Sequence, residues 1–340
     1  MDFRWRKRQS IFYALHPSQI PVESLRLSYT WGLGGVSVLA LVVTALTGVL
    51  LAFYYVPTPE QAHASLTRVE DLVFWGSWLR ALHYWAGQLL LVAATLHLAR
   101  VLFTGALHPP RRFNWLLGVG LLGLILLWDF SGYALRWDAQ TYWALQVGAE
   151  LVRTIPWLGD ELYLLLMGAE QLGAAGLLRF YIWHVLGFSL LGGFGVVYHL
   201  FRLRVDGGIS RPPKTEPGPR RFAPKEQLFI REIVAGLVIL ALLFLLALLV
   251  PAPLEPPANP ASPPAEVKAP WFFLWVQTLL RWLPPFWAGV FIPTAVLAFL
   301  AALPWLGPRG RTGVWFHPRR RKVDLLFLGL VALIVLLSFL

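Results

Sequence analysis

The sequence predicts an all-α integral membrane protein with seven transmembrane helices, a bundle of four followed by a C-terminal half of three. Three observations lead there. Hydrophobic residues make up 57% of the 340 residues and charged ones only 14%, a balance that puts the core in a bilayer. Seven apolar stretches are long enough to span, at about 31–55, 78–103, 114–135, 180–203, 229–251, 286–306 and 324–340. The second and fourth of them each carry two histidines a membrane depth apart, His83 with His97 and His184 with His199.

Arg4, Arg6, Lys7 and Arg8 precede the first span with no cleavable apolar core before residue 30, so no signal peptide is expected and this span does the inserting. Arg111 and Arg112 join spans two and three; Arg204, Arg211, Lys214, Arg220, Arg221 and Lys225 join spans four and five. Arg309, Arg311, Arg319, Arg320, Arg321 and Lys322 join spans six and seven. All four basic segments fall on one side, so the N-terminus is expected in the cytoplasm and the C-terminus outside. The net charge of +11 then belongs to membrane topology, and no nucleic-acid partner is expected.

The segment 271–283 is apolar but short and runs into Pro284-Pro285, which predicts an interfacial helix. The Pro-, Gly- and charge-rich stretch 205–225 is the best boundary, dividing 1–210 from 211–340. The proline-dense loop from Val250 to Pro270 reads as extended and semi-rigid, a docking surface or a spacer. With no cysteine, the chain itself has no disulfide, Fe–S ligation or thioether-linked haem.

Helix geometry gives the histidines a purpose. A gap of 14 residues travels ~21 Å and returns within ~40° of the same face, so His83 and His97 look the same way. The 15-residue gap from His184 to His199 travels ~22.5 Å with ~60° of offset in the opposite sense. Both helices run outside to inside, which pairs His83 with His184 at an outer level and His97 with His199 at an inner one. Imidazole is an axial haem ligand, and ionisable groups within a membrane mark function. The four histidines are therefore candidate iron ligands for two b-type haems, and the first four spans a four-helix haem-binding bundle. Gly34 and Gly48 on span one, and Gly118 and Gly132 on span three, repeat the 14-residue interval and offer flat notches at both levels. Arg80, Arg100, Arg179 and Arg204, each beyond one histidine, are candidate partners for haem propionates.

The motifs LGG and TGVLLAFYYVPT in span one, LRALHYWAGQLLLVAATLHLARVLFTG in span two, SGYALRWDAQTYWA, TIPWLG, LLRFYIWH and WFFLWVQTLLR resemble the cytochrome b subunits of quinol:cytochrome c reductases and their b6f relatives. The resemblance runs almost end to end. The 15-residue gap and seven spans resemble the b6f branch, with the two halves fused. The resemblance implies quinol oxidation at an outer pocket, electron passage through outer and inner haems, quinone reduction at an inner pocket, and coupled proton translocation in a bacterial inner membrane. It implies a Rieske iron–sulfur protein and a c-type cytochrome as partners, in a homodimeric complex. Its outer-pocket candidates are Tyr133, Trp137, Asp138, Tyr142, Trp143, Pro156, Trp271 and Phe272, and its inner one is Arg204.

Three departures stand out. Where the family has Pro-Glu-Trp-Tyr, whose Glu accepts a quinol proton, this chain reads Ala269-Pro270-Trp271-Phe272. Glu266, Asp138 or water are the replacements considered. The family's Leu-Pro-Trp is Leu135-Arg136-Trp137, and the b6f haem-attaching Cys position is Gly32, so no covalently attached haem is expected. Two other readings stay open: a di-haem quinone-reactive anchor of a dehydrogenase, and a transporter whose histidines relay protons.

Overall fold

The computed structural model describes residues 19–213, 219, 221–306, 308 and 310–340; the basic residues Arg4, Arg6, Lys7, Arg8, Lys214, Arg220 and Arg309 lie outside them. Helix α1, Leu33–Ala52, starts after Gly32 at φ +62°, a left-handed turn into the bundle that glycine adopts without strain. It packs along most of α3, Gly76–Phe103, with the short α2, Ala62–Leu72, between them in sequence. Helix α4 is Arg112–Ala134. Two amphipathic helices the sequence reading did not foresee, α5 at Ala139–Arg153 and α6 at Gly159–Met167, lead to α7 at Ala174–Val205.

The C-terminal half consists of α8 (Glu226–Leu249), the short α9 (Trp271–Leu280), α10 (Phe286–Trp305) and α11 (Arg321–Ser338). Helix α9 sits where the interfacial helix is expected. The half is not a separate body: α8 lies against α3 and α1, and α10 against α4. Trp78 and Trp85 of α3 donate their indole N–H to the Phe244 and Val250 carbonyls.

Among the described residues six helices are long and apolar enough to cross a membrane: α1, α3, α4, α7, α8 and α10. The seventh expected span is the apolar part of α11, whose first turn carries Arg321, Lys322 and Asp324. Apolar side chains project from these helices, with Leu46 65% and Phe194 79% exposed; in water such a surface would be untenable, and lipid accounts for it. Among the described residues the mostly helical expectation has one exception. Gln19–Pro21 and Phe222–Pro224 pair as a short antiparallel ribbon, tying the N-terminal segment to the 205–225 stretch.

The loops sort to the two ends. At the basic end Arg111 donates to the Gly208 carbonyl, Arg112 to Pro304 and the buried Arg320 to Phe103. At the opposite end Arg136 donates to the Pro253 carbonyl and His63 meets the Glu255 carbonyl, so the proline-rich loop lies across the ends of α2 to α5.

Candidate functional site

The four histidines meet in two pairs across the interface of α3 and α7. The His83 and His184 ring centroids are 6.1 Å apart with planes at 74°, and those of His97 and His199 are 6.5 Å apart at 78°. Two imidazoles on opposite sides of one metal, with bonds of ~2 Å and ~1.1 Å from nitrogen to ring centre, would stand ~6.2 Å apart. Both pairs have that separation.

The sequence left His184 and His199 out of phase with the other pair by one residue. The structure removes the mismatch. At Trp183–Gly187 helix α7 widens into a π turn, in which the Phe188 N–H reaches the Trp183 carbonyl five residues back. A π turn holds one residue more than an α turn, so 15 residues travel as 14 would. The His184 carbonyl at this turn receives the Trp128 indole N–H at 2.9 Å and the Ser189 hydroxyl at 3.2 Å.

Each predicted glycine faces one imidazole. A Cβ at Gly48 would stand 3.0 Å from His83 Cε1, at Gly132 2.6 Å from His184, at Gly34 3.3 Å from His97 and at Gly118 3.4 Å from His199. The notches seat the ligands' rings as well as leaving room at each level. One residue before each outer glycine stands a hydroxyl. Thr47 Oγ1 donates to the Val43 carbonyl at 2.7 Å and lies 3.0 Å from His83 Nδ1. Ser131 Oγ donates to Trp128 at 2.6 Å and lies 3.0 Å from His184 Nδ1. With the hydroxyl proton already committed, each oxygen accepts from an Nδ1–H, which leaves the Nε2 lone pair free for a metal. The donor set, the spacing and the glycine cradles all fit haem iron.

The arginines are less free than expected. Arg80 is buried and bound to Glu70, and it also donates to the Ala252 and Pro253 carbonyls. Among the described residues Arg100 has only neutral partners, the Tyr29 and Ser210 carbonyls and the Tyr29 ring 4.4 Å away. Arg179 packs on Gly168, which sits at φ +71° where any Cβ would strike the guanidinium. Arg204 feels the opposing charge of Glu232 on α8. Just beyond it burial pushes the Asp206 carboxyl above the usual range, against the pull of Arg202 and Arg111.

At the opposite end a cavity of about 520 Å³ opens between α4, α5 and the proline-rich loop, bordered by Tyr133, Arg136, Gln140, Glu255, Glu266 and Lys268. Of the predicted pocket residues, Tyr133 and Glu266 line it. The Tyr133 hydroxyl donates to the Lys268 carbonyl at 3.0 Å and its ring carries the Arg136 guanidinium 4.7 Å away. Glu266 pairs with Lys268 at 3.3 Å in the open. Asp138 has no exposure and caps α5, accepting from the Gln140 and Thr141 N–H groups, from the Glu255 N–H and from Arg136 at 3.1 Å. Trp137, Tyr142 and Trp143 pack edge to face in sequence, supporting α5, and Pro156 is exposed. Trp271 donates its indole N–H to Gln88 at 2.6 Å, and Phe272 packs on Phe273.

Sequence reasoning missed Thr47, Ser131, Gln88 and Asp129. The first two were marked by preceding Gly48 and Gly132, and Asp129 by being a carboxylate inside an apolar run.

Fold and site define a multi-pass helical membrane protein carrying paired imidazoles inside its bundle. Residues 19–207 match the family model for cytochrome b/b6/petB, and residues 257–340 that for the C-terminal part of cytochrome b, b6/petD. Cytochrome b6 of Heliobacterium modesticaldum is 41% identical over 192 residues, covering 56% of this chain and 90% of that one. Cytochrome b of Marchantia polymorpha is 31% identical over 336 residues, covering 95% and 82%. A solved structure titled as a hyperthermophilic respiratory Complex III shares the fold at a TM-score of 0.82 and 22% identity, over 99% of this chain and 90% of its own. The chain belongs to the cytochrome b/b6 family, the membrane subunit of quinol:cytochrome c oxidoreductases, with both halves in one chain.

Proposed function

We propose that His83 with His184, and His97 with His199, hold two b-type haems, and that the chain carries electrons between a quinol-oxidising pocket at the His83 level and a quinone-reducing pocket at the His97 level. The observation that carries this is the pair of imidazole separations, 6.1 and 6.5 Å. Bound haem supplies one-electron carriage; the protein supplies its ligands, their tautomer and the apolar surroundings. Residues 1–210 then hold both haems, while 211–340 contribute α9 to the outer pocket.

The outer pocket is the cavity beside Tyr133 together with the neighbouring Trp271 and Phe272. Glu266 stands at its rim, Asp138 and Tyr142 position its floor, and Arg204 faces the inner pocket. Arg100, with only neutral partners among the described residues, is the best supported propionate partner, followed by Arg179 and Arg80. The basic end lies in the cytoplasm of a bacterial cell whose inner membrane the chain crosses seven times, with the C-terminus outside. A Rieske protein and a c-type cytochrome complete the path, since the chain has no cysteine to hold either centre, and the complex is a homodimer. Quinol oxidation outside and quinone reduction inside translocate protons. The family match to 257–340 weighs against a dehydrogenase anchor, and the imidazole spacing against a transporter.

The test is haem content and redox response of the purified complex. Two b haems per chain are expected, both reduced by added quinol. A single haem, or none, overturns the reading.

A further inference from the structure

Quinol oxidation releases protons, and position 270 is a proline with no carboxylate to receive one. Near it, Glu266 and Lys268 are paired and their side chains are 63% and 65% exposed, so that carboxylate stands in water at the rim. Deeper in the bundle is a better placed one. The helices α1, α3, α4 and α7, which hold or seat all four imidazoles, contain a single acidic residue, Asp129 of α4. A carboxylate in an apolar span is costly and is retained for function.

Asp129 precedes Tyr133 by four residues and so shares its helix face, the one that reaches the outer cavity. Its Oδ2 accepts from Gln88 Nε2 at 3.4 Å, and Gln88 Oε1 accepts the Trp271 indole N–H at 2.6 Å. The indole can only donate, so it fixes the amide's orientation, oxygen toward Trp271 and nitrogen toward the carboxylate. One amide thus joins Asp129 to the residue after Pro270. Space is kept for it too: a Cβ at Gly87 would stand 3.1 Å from Asp129 Oδ1. The ionisable groups around this point are Tyr84 and Arg80 of α3, and Tyr133 and Arg136 at the end of α4. They lead outward to Glu255 and Glu266 across the cavity.

We propose that Asp129 is the proton acceptor of the outer quinol pocket, oriented there by the Trp271–Gln88 contact and discharging past the Tyr133 hydroxyl to the cavity. This rests on the outer-pocket reading above. In the step itself a quinol O–H bond breaks, its electron pair stays on the quinol oxygen, and the proton joins a carboxylate oxygen of Asp129. Quinol becomes the monoanion and Asp129 the neutral acid; no electron moves until the one-electron acceptors of the established activity take them.

The test compares the intact complex with D129N and D129E. Quinol-driven haem reduction should slow roughly 100-fold in D129N at unchanged b-haem content, the loss of a general base, and D129E should recover most of it. Infrared difference spectra on quinol oxidation should show a carboxylic-acid C=O band that D129N removes and D129E moves. A wild-type rate in D129N, a D129E variant as slow as D129N, or a band indifferent to both substitutions overturns the proposal. Should D129N assemble without haem, the D129E rate and band decide alone. A wild-type complex that does not oxidise quinol removes the outer-pocket reading instead, a result distinct from a normal wild type with an unimpaired D129N.

Discussion

The outer and inner imidazole pairs are built on the same 14-residue register but finished differently. At the outer level the residues before the seating glycines are Thr47 and Ser131; one register step inward they are Leu33 and Leu117. The outer imidazoles therefore give their Nδ1 protons to hydroxyls, while no side-chain hydroxyl reaches His97 or His199 among the described residues. The seating also differs, with the outer glycines tighter on their rings at 3.0 and 2.6 Å than the inner ones at 3.3 and 3.4 Å. A repeated scaffold with unequal second contacts yields two like imidazole pairs of unlike donor strength, which on the proposed two-haem reading gives electrons a direction between them.

The largest expected effect breaks one level while sparing the other. His184→Leu removes an outer ligand, so haem per chain should fall from two to one and quinol-driven turnover should be abolished, while the inner pair keeps its spectrum. Pigment extraction and a reduced-minus-oxidised spectrum check this; equal loss of both haems would show that the levels are not independent.

Glycine substitutions grade the comparison. Gly132→Ala places a methyl 2.6 Å from His184 Cε1, and Gly118→Ala places one 3.4 Å from His199. Overpacking of the first kind costs about 1–3 kcal/mol, and the second is ordinary contact. Outer-haem occupancy should fall in G132A, less in Gly48→Ala, and inner occupancy should hold in G118A, measured by haem titration of each variant. The reverse order would mean that the glycines seat the macrocycle alone.

The histidine ladder and the glycine interval were legible because the α-helical period converts sequence spacing into direction with no tertiary information. The phase of His184 was not, since a π turn depends on which carbonyls find other donors, here Trp128 from α4 and Ser189. Asp138 is the converse case. Followed at three residues by Thr141, it had the pattern of a helix cap, yet its charge suggested proton chemistry; in the fold its oxygens are taken up by N–H groups and Arg136. Asp129 passed unremarked within an apolar run although its cost there was readable. Helices α2, α5 and α6 escaped because they lie along the loop ends of the bundle, where their short apolar faces become meaningful only against it. For Arg80, spacing gave a position beyond His83 but could not reveal Glu70, ten residues away across a turn, as its partner.

The smallest effect tests the hydroxyls themselves. An imidazole that donates its Nδ1–H is a stronger electron donor and favours the ferric state, so losing the acceptor should raise the potential of the outer haem. A hydrogen bond of about 1 kcal/mol corresponds to roughly 40 mV for a one-electron couple. Thr47→Val, whose shape is nearly unchanged, should raise the outer midpoint by that order and leave the inner one in place. Ser131→Ala should do less, because His184 Nδ1 retains the Trp128 carbonyl at 3.2 Å as a second acceptor. Redox titration of the two b bands separates these outcomes. Equal shifts at both levels in T47V would mean that the asymmetry between them lies in the surroundings of the haem edges, Arg80 with Glu70 outside and Arg100 with neutral carbonyls inside, and not in the hydroxyls.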